Sequence, residues 1–191
     1  MALTLPIYTQ RLVLRKLTVA DLPHLSRYRN LPDVARYQSW EEFTWQDAEK
    51  LYAQQDALPF NSDNTWFQFA VAHQEDDRLI GDIGFHFFDE GRQAELGMTF
   101  DAGFQKQGFA LEAMSAIVTL LFTQFAKHRL TAVVDTRNIR AINLLEKLNF
   151  RREAHYRQNI FFKGMWGDEY LYARLASDWR RHCVKPSRRH V

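Results

Sequence analysis

Between Ala94 and Val134 the chain reads strand, glycine-bearing loop, long helix, buried strand, and no other feature constrains its fold as much. Ala94 to Phe100 alternates apolar and small or polar residues, the pattern of a strand with two unlike faces. From Gln107 to about Lys127 the apolar positions Ala110, Ala113, Met114, Ile117, Leu120, Leu121 and Phe125 fall three and four apart, which predicts one amphipathic helix. Leu130 to Val134 is a short apolar run of the kind buried inside a sheet. A strand, a crossover helix and a second strand place the two strands side by side and parallel.

The flanking segments extend this frame. Arg11 to Arg15 alternates as a strand, and Thr18-Val-Ala-Asp21 is an N-cap with an acid three residues on, opening a helix through about Arg29. Thr44-Trp-Gln-Asp47 repeats that grammar and opens a helix through about Gln55. Strands follow at Trp66 to His73 and Leu79 to Phe88, with turns at Gln74 to Asp77 and Asp89 to Arg92, which predicts an antiparallel meander. After Val134 come a helix over Ile139 to Leu148 and strands over Phe150 to Tyr156 and Glu169 to Leu175. Strand–helix alternation here predicts parallel pairing in the second half. The expectation is a single mixed α/β domain over residues 1–179, with a tail over 180–191 that carries five Lys/Arg and no acid.

Composition narrows the function. With 191 residues, 46% hydrophobic and 25% charged, the chain is long enough to bury a core without a disulfide or metal staple. No segment approaches the roughly 18 apolar residues of a membrane span. Met1 to Leu17 lacks the marks of a secretory signal, and the lone Cys183 suits a reducing compartment, so a cytoplasmic location is expected. The seven histidines show no metal-ligand spacing, no phosphate-binding Gly-Lys-Ser/Thr loop occurs, and no serine is flanked by glycines as in hydrolases. The basic tail invites a nucleic-acid reading, but a solvated terminus explains it as well.

The chemistry concentrates at Gln105-Lys106-Gln107-Gly108-Phe109-Ala110, at the mouth of the long helix. A helix N-terminus presents unpaired N–H groups and partial positive charge, which suits a phosphate or pyrophosphate. Gly108 lets an anion approach the backbone closely, Ala110 keeps the first turn narrow, and Lys106 adds charge at the rim. Taken alone, this hexapeptide is equally well an ordinary helix start.

In sequence context the loop resembles the acetyl-CoA pyrophosphate loop of the GCN5-related N-acetyltransferases (GNAT). Thr9 to Leu17 with Asp21-Leu22 resembles the opening of the ribosomal-protein-alanine N-acetyltransferase-like branch, and Ala94 to Met98 that branch's fourth strand. Asn138 to Phe150 resembles the helix after the fifth strand, and Trp166-Gly-Asp168 to Trp179 the branch's ending. This resemblance implies a mixed sheet of about seven strands, parallel around strands four and five, flanked by about four helices. It also implies that strands four and five splay to hold the pantetheine arm. Met98, Thr99 and Phe100 then lie along that arm, Gln105, Lys106, Gln107, Gly108, Phe109 and Ala110 hold the pyrophosphate, and Asn138 with Asn143 contact the arm from the next helix. No metal is expected.

The implied reaction is direct attack of an amine on the acetyl thioester, with a backbone N–H near Gly97 or Met98 as oxyanion donor. The proton-handling positions depart from the pattern. The usual Tyr is Leu145, the Ser of ribosomal-protein members is Ala141, and the usual Gly is Asn149. Tyr170 and Tyr172 remain as proton donors, though strand tyrosines commonly pack. Glu95 is a candidate base and Asp168 an alternative, each equally readable as a surface carboxylate. Holding a lysine-type amine neutral at pH 7 costs about 4.6 kcal/mol against about 1.1 kcal/mol for an α-amine. The acceptor is therefore expected to be an α-amino group of a protein or peptide rather than a lysine side chain. A small amine such as an aminoglycoside, or an acetyl-CoA-binding module without chemistry, are the alternatives. The chain is expected to be a monomer or homodimer.

Overall fold

The computed structural model describes residues 3–38 and 40–183. Among them are eight strands: β1 (Ile7–Tyr8), β2 (Leu12–Arg15), β3 (Thr65–His73), β4 (Leu79–Phe88), β5 (Gln93–Phe100), β6 (Arg129–Asp135), β7 (Arg151–Phe162) and β8 (Met165–Leu175). Six α-helices accompany them: α1 (Leu22–Arg29), α2 (Pro32–Ala35), α3 (Trp45–Gln54), α4 (Phe109–Thr123), α5 (Ile139–Lys147) and α6 (Ala176–Cys183). The strands form one sheet in the order β1-β2-β3-β4-β5-β6-β8-β7. All neighbours are antiparallel except β5 and β6.

Alternation along the strands sorts the core into two layers. Phe69 and Val71 of β3 join Phe85, Phe87, Ala94 and Leu96 beneath Met114, Ile117 and Leu121 of α4. Ala70, between them in sequence, faces the other way and packs with Leu25, Tyr28 and Phe43 under α1 and α3. The sheet thus has α4 and α5 on one face and α1 to α3 on the other.

The expected long helix is shorter than its apolar pattern. Lys106 (φ 63°) and Gly108 (φ 85°) are left-handed, so helical geometry starts only at Phe109. At the other end Ala126 (φ 47°) turns left-handed and the Lys127 N–H donates to the Leu121 carbonyl at 3.0 Å, closing the helix in a Schellman-type turn.

The second half corrects one expectation. Only the β5–β6 pair is parallel; β7 does not return beside β6. Lys163 (φ 48°) and Gly164 (φ 78°) make a two-residue left-handed turn, which joins β7 and β8 as a hairpin, and β8 inserts antiparallel against β6. Both strands run beyond the expected limits, to Phe162 and from Met165. The fold has eight strands rather than about seven, because the two-residue β1 carries too little pattern to read. Helix α6 continues past residue 179 to Cys183, so Arg180 and Arg181 are helical, and the rest of the expected tail lies outside the described residues.

Candidate active site

Pairing of β5 with β6 covers only Gln93–Arg129, Ala94–Leu130 and Glu95–Thr131. Beyond Glu95 the strands part, β5 staying with β4 and β6 with β8. Two adjoining cavities open in the gap, of about 680 and 220 Å³. They share Tyr37, Gln38, Met98, Arg137, Asn138, Ala141 and Leu144 at their junction.

The larger cavity gathers most of the expected cofactor positions. Met98, Thr99 and Phe100 line it from β5; Gln105, Lys106, Gly108 and Ala110 from the loop and first turn of α4; Asn138 and Asn143 from α5. Gln107 and Phe109 are not in its wall. The Gln107 side chain turns back to donate to the Gly103 carbonyl at 2.9 Å, and Phe109 is buried beneath the Arg11 guanidinium, 4.3 Å from its ring centre. Their contribution is confined to the backbone.

The N-terminus of α4 has no side-chain cap. Its first helical bond runs from the Glu112 N–H to the Gly108 carbonyl at 3.0 Å, so the amides of Phe109, Ala110 and Leu111 have no helical acceptor. Gly108 is exposed and left-handed, a conformation that a side chain adopts only with strain. Arg11 donates to the Gln107 carbonyl at 3.1 Å and to Glu112 at 2.8 Å, so the segment just ahead of β2 braces the loop from behind. Burial raises the Glu112 carboxyl, but the hydrogen bonds from Thr9 and Arg11 outweigh it and hold the group below its ordinary value. On the opposite wall Arg140 donates to Gln105 at 2.7 Å, and Asn138 caps α5 by accepting from the Ala141 N–H at 3.2 Å. These amides, the glycine and the flanking cations suit a pyrophosphate-bearing ligand. The strand edge below them suits an extended amide arm, since the Met98 and Phe100 carbonyls already accept from the side chains of Gln38 (3.4 Å) and Gln105 (3.0 Å).

The smaller cavity passes between the strands to the face of α1 and α2. Its wall on the α5 side includes Ala141 and Leu145, the positions where the resemblance implies a hydroxyl, and both are apolar here. Neither tyrosine on β8 replaces them: Tyr172 donates to Glu146 at 3.0 Å, and Tyr170 packs between His155 and Arg152. On the other face lie Gly97, Val133, Glu169 and the hairpin residues Ile160, Phe162 and Met165. An added Cβ at Gly97 would meet nothing within 4 Å, so open space continues over the strand at that point.

Glu95 stands where β5 and β6 part, half-buried, on the same face as Gly97 and Glu169. It is not in the wall of either cavity. Burial pushes its carboxyl above the ordinary value, the Glu169 charge adds to that, and His86, paired with it across β4, opposes. Asp168 is placed differently. It accepts from the Gln158 N–H at 2.9 Å and from His155 at 2.8 Å, which hold its carboxyl low and fix the irregular stretch of β7, outside both cavities. The structure therefore does not bring Glu95 and Asp168 together.

Sequence reasoning missed Arg11, Tyr37, Gln38, Arg140 and Glu169. Tyr37 and Gln38 follow a four-residue helix too short for periodicity, and Tyr37 donates to the Arg137 carbonyl at 3.2 Å across the junction. Glu169 was legible only through strand parity, which puts it opposite Tyr170. No group of three or more metal-ligating side chains occurs among the described residues, and no described helix is long and apolar enough to cross a membrane.

Comparison with known proteins agrees with this geometry. The sequence pattern of the acetyltransferase (GNAT) domain matches residues 11–151. An uncharacterised N-acetyltransferase, YnaD of Bacillus subtilis, is 30% identical over 91% of this chain and 98% of its own. The ribosomal protein uS5-alanine N-acetyltransferase of Escherichia coli is 25% identical over 63% of each chain. A GNAT-family acetyltransferase from Bacillus anthracis superposes with a TM-score of 0.81 at 26% identity, covering 91% of this chain and 99% of that one. Spermidine N-acetyltransferase from Vibrio cholerae, solved with CoA and spermine, shares the fold with a TM-score of 0.75 at 24% identity over 90% and 99% of the two chains. The splayed strands and the uncapped glycine at α4 thus have their explanation in descent: the chain belongs to the GNAT family and is an acetyl-CoA-dependent N-acetyltransferase.

Proposed function

We propose that the acceptor is the α-amino group of a peptide or protein, and that Glu95 takes its proton. Acetyl-CoA supplies the activated acetyl thioester. Met98, Thr99 and Phe100 would hold its arm along the free edge of β5, with Asn138 and Asn143 facing from α5. The α4 amides from Gly108 to Ala110, with Gln105, Lys106, Gln107 and Phe109 shaping the loop, would hold its phosphates.

The position of Glu95, half-buried where β5 and β6 part and on the face of Gly97 and Glu169, carries the proposal. A carboxyl raised by burial is a better base than a solvated one, yet it remains far weaker than a free amine. Between an α-ammonium of pKa near 7.8 and a lysine near 10.4, deprotonation differs by about 3.5 kcal/mol in favour of the α-amine. No side-chain hydroxyl stands at Ala141 or Leu145 to protonate the departing thiolate, so its proton comes from the amine or from water. Among the relatives, the uS5-alanine N-acetyltransferase is named for a protein substrate, which favours the same reading.

The test is acetylation of matched peptides that present either a free N-terminus or an internal lysine, at pH 7. The α-amine is expected to react faster by tenfold or more, and Gly108→Glu is expected to abolish turnover. Faster lysine acetylation sinks the proposal.

A further inference from the structure

The acceptor end of the cleft has a specific chemical character. Where β8 runs beside β6, Glu169 pairs with Asp135 and projects onto the face opposite α5, the same face as Gly97 and Glu95. Two acids line the smaller cavity, and they differ. Asp135 is tied to Arg137 at 2.6 Å, and hydrogen bonds from Arg137 outweigh burial to hold its carboxyl low. Glu169 has no cation among its described partners; it accepts only from the Asn159 side chain, which fixes its direction and leaves its charge uncompensated.

Beyond Glu169 the wall is apolar. Ile160 packs over Gly167, and Phe162 and Met165 continue the same face toward the hairpin tip. Met165 is 53% exposed and Ile160 37%, so this surface is open. The far end is cationic. Lys163 at the tip donates to the Ala35 carbonyl at 2.7 Å, tying the hairpin to α2. Moving along the wall from Gly97, an occupant meets one carboxylate without an ion pair, Glu169, beside the paired Asp135 and Arg137, then apolar side chains, then Lys163 at the hairpin tip.

We propose that Glu169 positions the acceptor by receiving its single ammonium group, and that the Ile160–Phe162–Met165 wall selects an amine carried on an uncharged, apolar body, such as a peptide whose first residues lack Lys and Arg. This rests on the acetyltransferase reading of the cleft and narrows its substrate class. A linear polycation does not fit: its second and third ammonium groups would lie against the apolar wall and then toward Lys163, where like charges repel. Glu169 acts through the substrate's position, whereas Glu95 takes the proton.

The experiment compares wild type, Glu169→Gln and Glu169→Asp on three acceptors: a peptide with an apolar first pair of residues, the same peptide with Lys at the second position, and spermidine. The apolar peptide is expected to show kcat/KM at least tenfold above both others. Glu169→Gln is expected to raise its KM about tenfold with kcat changed less than threefold, and to move the acidic limb of the pH profile downward as the charge beside Glu95 disappears. Glu169→Asp is expected to recover part of the KM. Acetyl-CoA affinity, measured by calorimetry, should stay within twofold in all variants, which separates loss of the acceptor site from loss of the fold or of the cofactor site. Preference for spermidine or the Lys peptide, or an unchanged KM in Glu169→Gln, overturns the proposal. Absence of acetyl-CoA binding in the wild type would instead overturn the reading on which it rests.

Discussion

At the scale of single residues, the site depends on one backbone conformation and one displaced carboxyl. Gly108 holds φ 85°, so Gly108→Ala is expected to cost about 1 kcal/mol in denaturant unfolding. Its Cβ would stand 3.3 Å from Arg11 Nη2, the far end of a flexible side chain, so the fold should survive while acetyl-CoA affinity falls. Glu95→Gln is expected to lower kcat by about 10² or more. A base at Glu95 must be ionised, so kcat/KM is expected to rise as pH rises through its pKa, which burial and then Glu169 place above the ordinary value. That limb should vanish in Glu95→Gln; a profile unchanged from wild type would exclude Glu95 as the base. Asn149 shows how a departure from a family pattern can be harmless. It sits at φ 57° just after α5, in the conformation that glycine usually supplies and asparagine tolerates best among side chains.

At the scale of elements, the first turn of α4 is fastened to the segment ahead of β2 through Glu112. This carboxylate accepts from Thr9 Oγ1 (2.6 Å), the Arg11 N–H (2.8 Å) and Arg11 Nε (2.8 Å). Glu112→Ala leaves three donors without their partner and is expected to cost about 1–3 kcal/mol. Because the folded pKa lies below the unfolded one, this stabilisation is present above the unfolded value of 4.5 and is lost as pH falls through the folded value. Acid unfolding of Glu112→Gln should therefore be less steep than that of wild type below about pH 4.5, as followed by circular dichroism. Arg140 and Lys147 lie seven apart on α5, on the face that carries Asn143 toward the larger cavity. Arg140→Ala is expected to weaken acetyl-CoA binding about threefold to tenfold with the acceptor KM unchanged; loss confined to the acceptor would place Arg140 elsewhere in the reaction. The β7–β8 hairpin was partly legible, since Lys163-Gly164 is a turn pair, but strand–helix alternation pointed to a parallel crossover. The two-residue turn makes β7 and β8 antiparallel, and β8 takes the β6 edge, so the crossover through α5 carries β7 one strand beyond β6.

At the scale of the molecule, α1 is fastened to its face of the sheet by a buried polar network that no motif announced. Asp82 on β4 is 1% exposed and accepts from Tyr28 and Arg29 of α1 and from Gln68 of β3, while the Arg29 guanidinium lies 4.7 and 4.6 Å from the ring centres of the adjoining Trp40 and Phe43. Asp82→Ala strands a buried guanidinium and is expected to cost about 3–5 kcal/mol, a fall in Tm on the order of 10 °C by calorimetry. A loss under 1 kcal/mol would mean that water replaces the carboxylate. The sequence by itself determined the strands and helices with strong periods, the parallel β5–β6 crossover and the glycine at α4, and its resemblance to a family pointed to nine of the residues that line the larger cavity. These are local: hydrophobic period, N-caps and turn residues act over a few positions. Only the tertiary structure decided that β8 separates β6 from β7, that Arg29 reaches Asp82, and that Glu169, Tyr37 and Gln38 meet at the cleft while Asp168 turns away. Those relations join residues tens of positions apart, and they depend on which strand edge is left unpaired and which face each side chain takes. Neither is encoded in any short stretch of the chain.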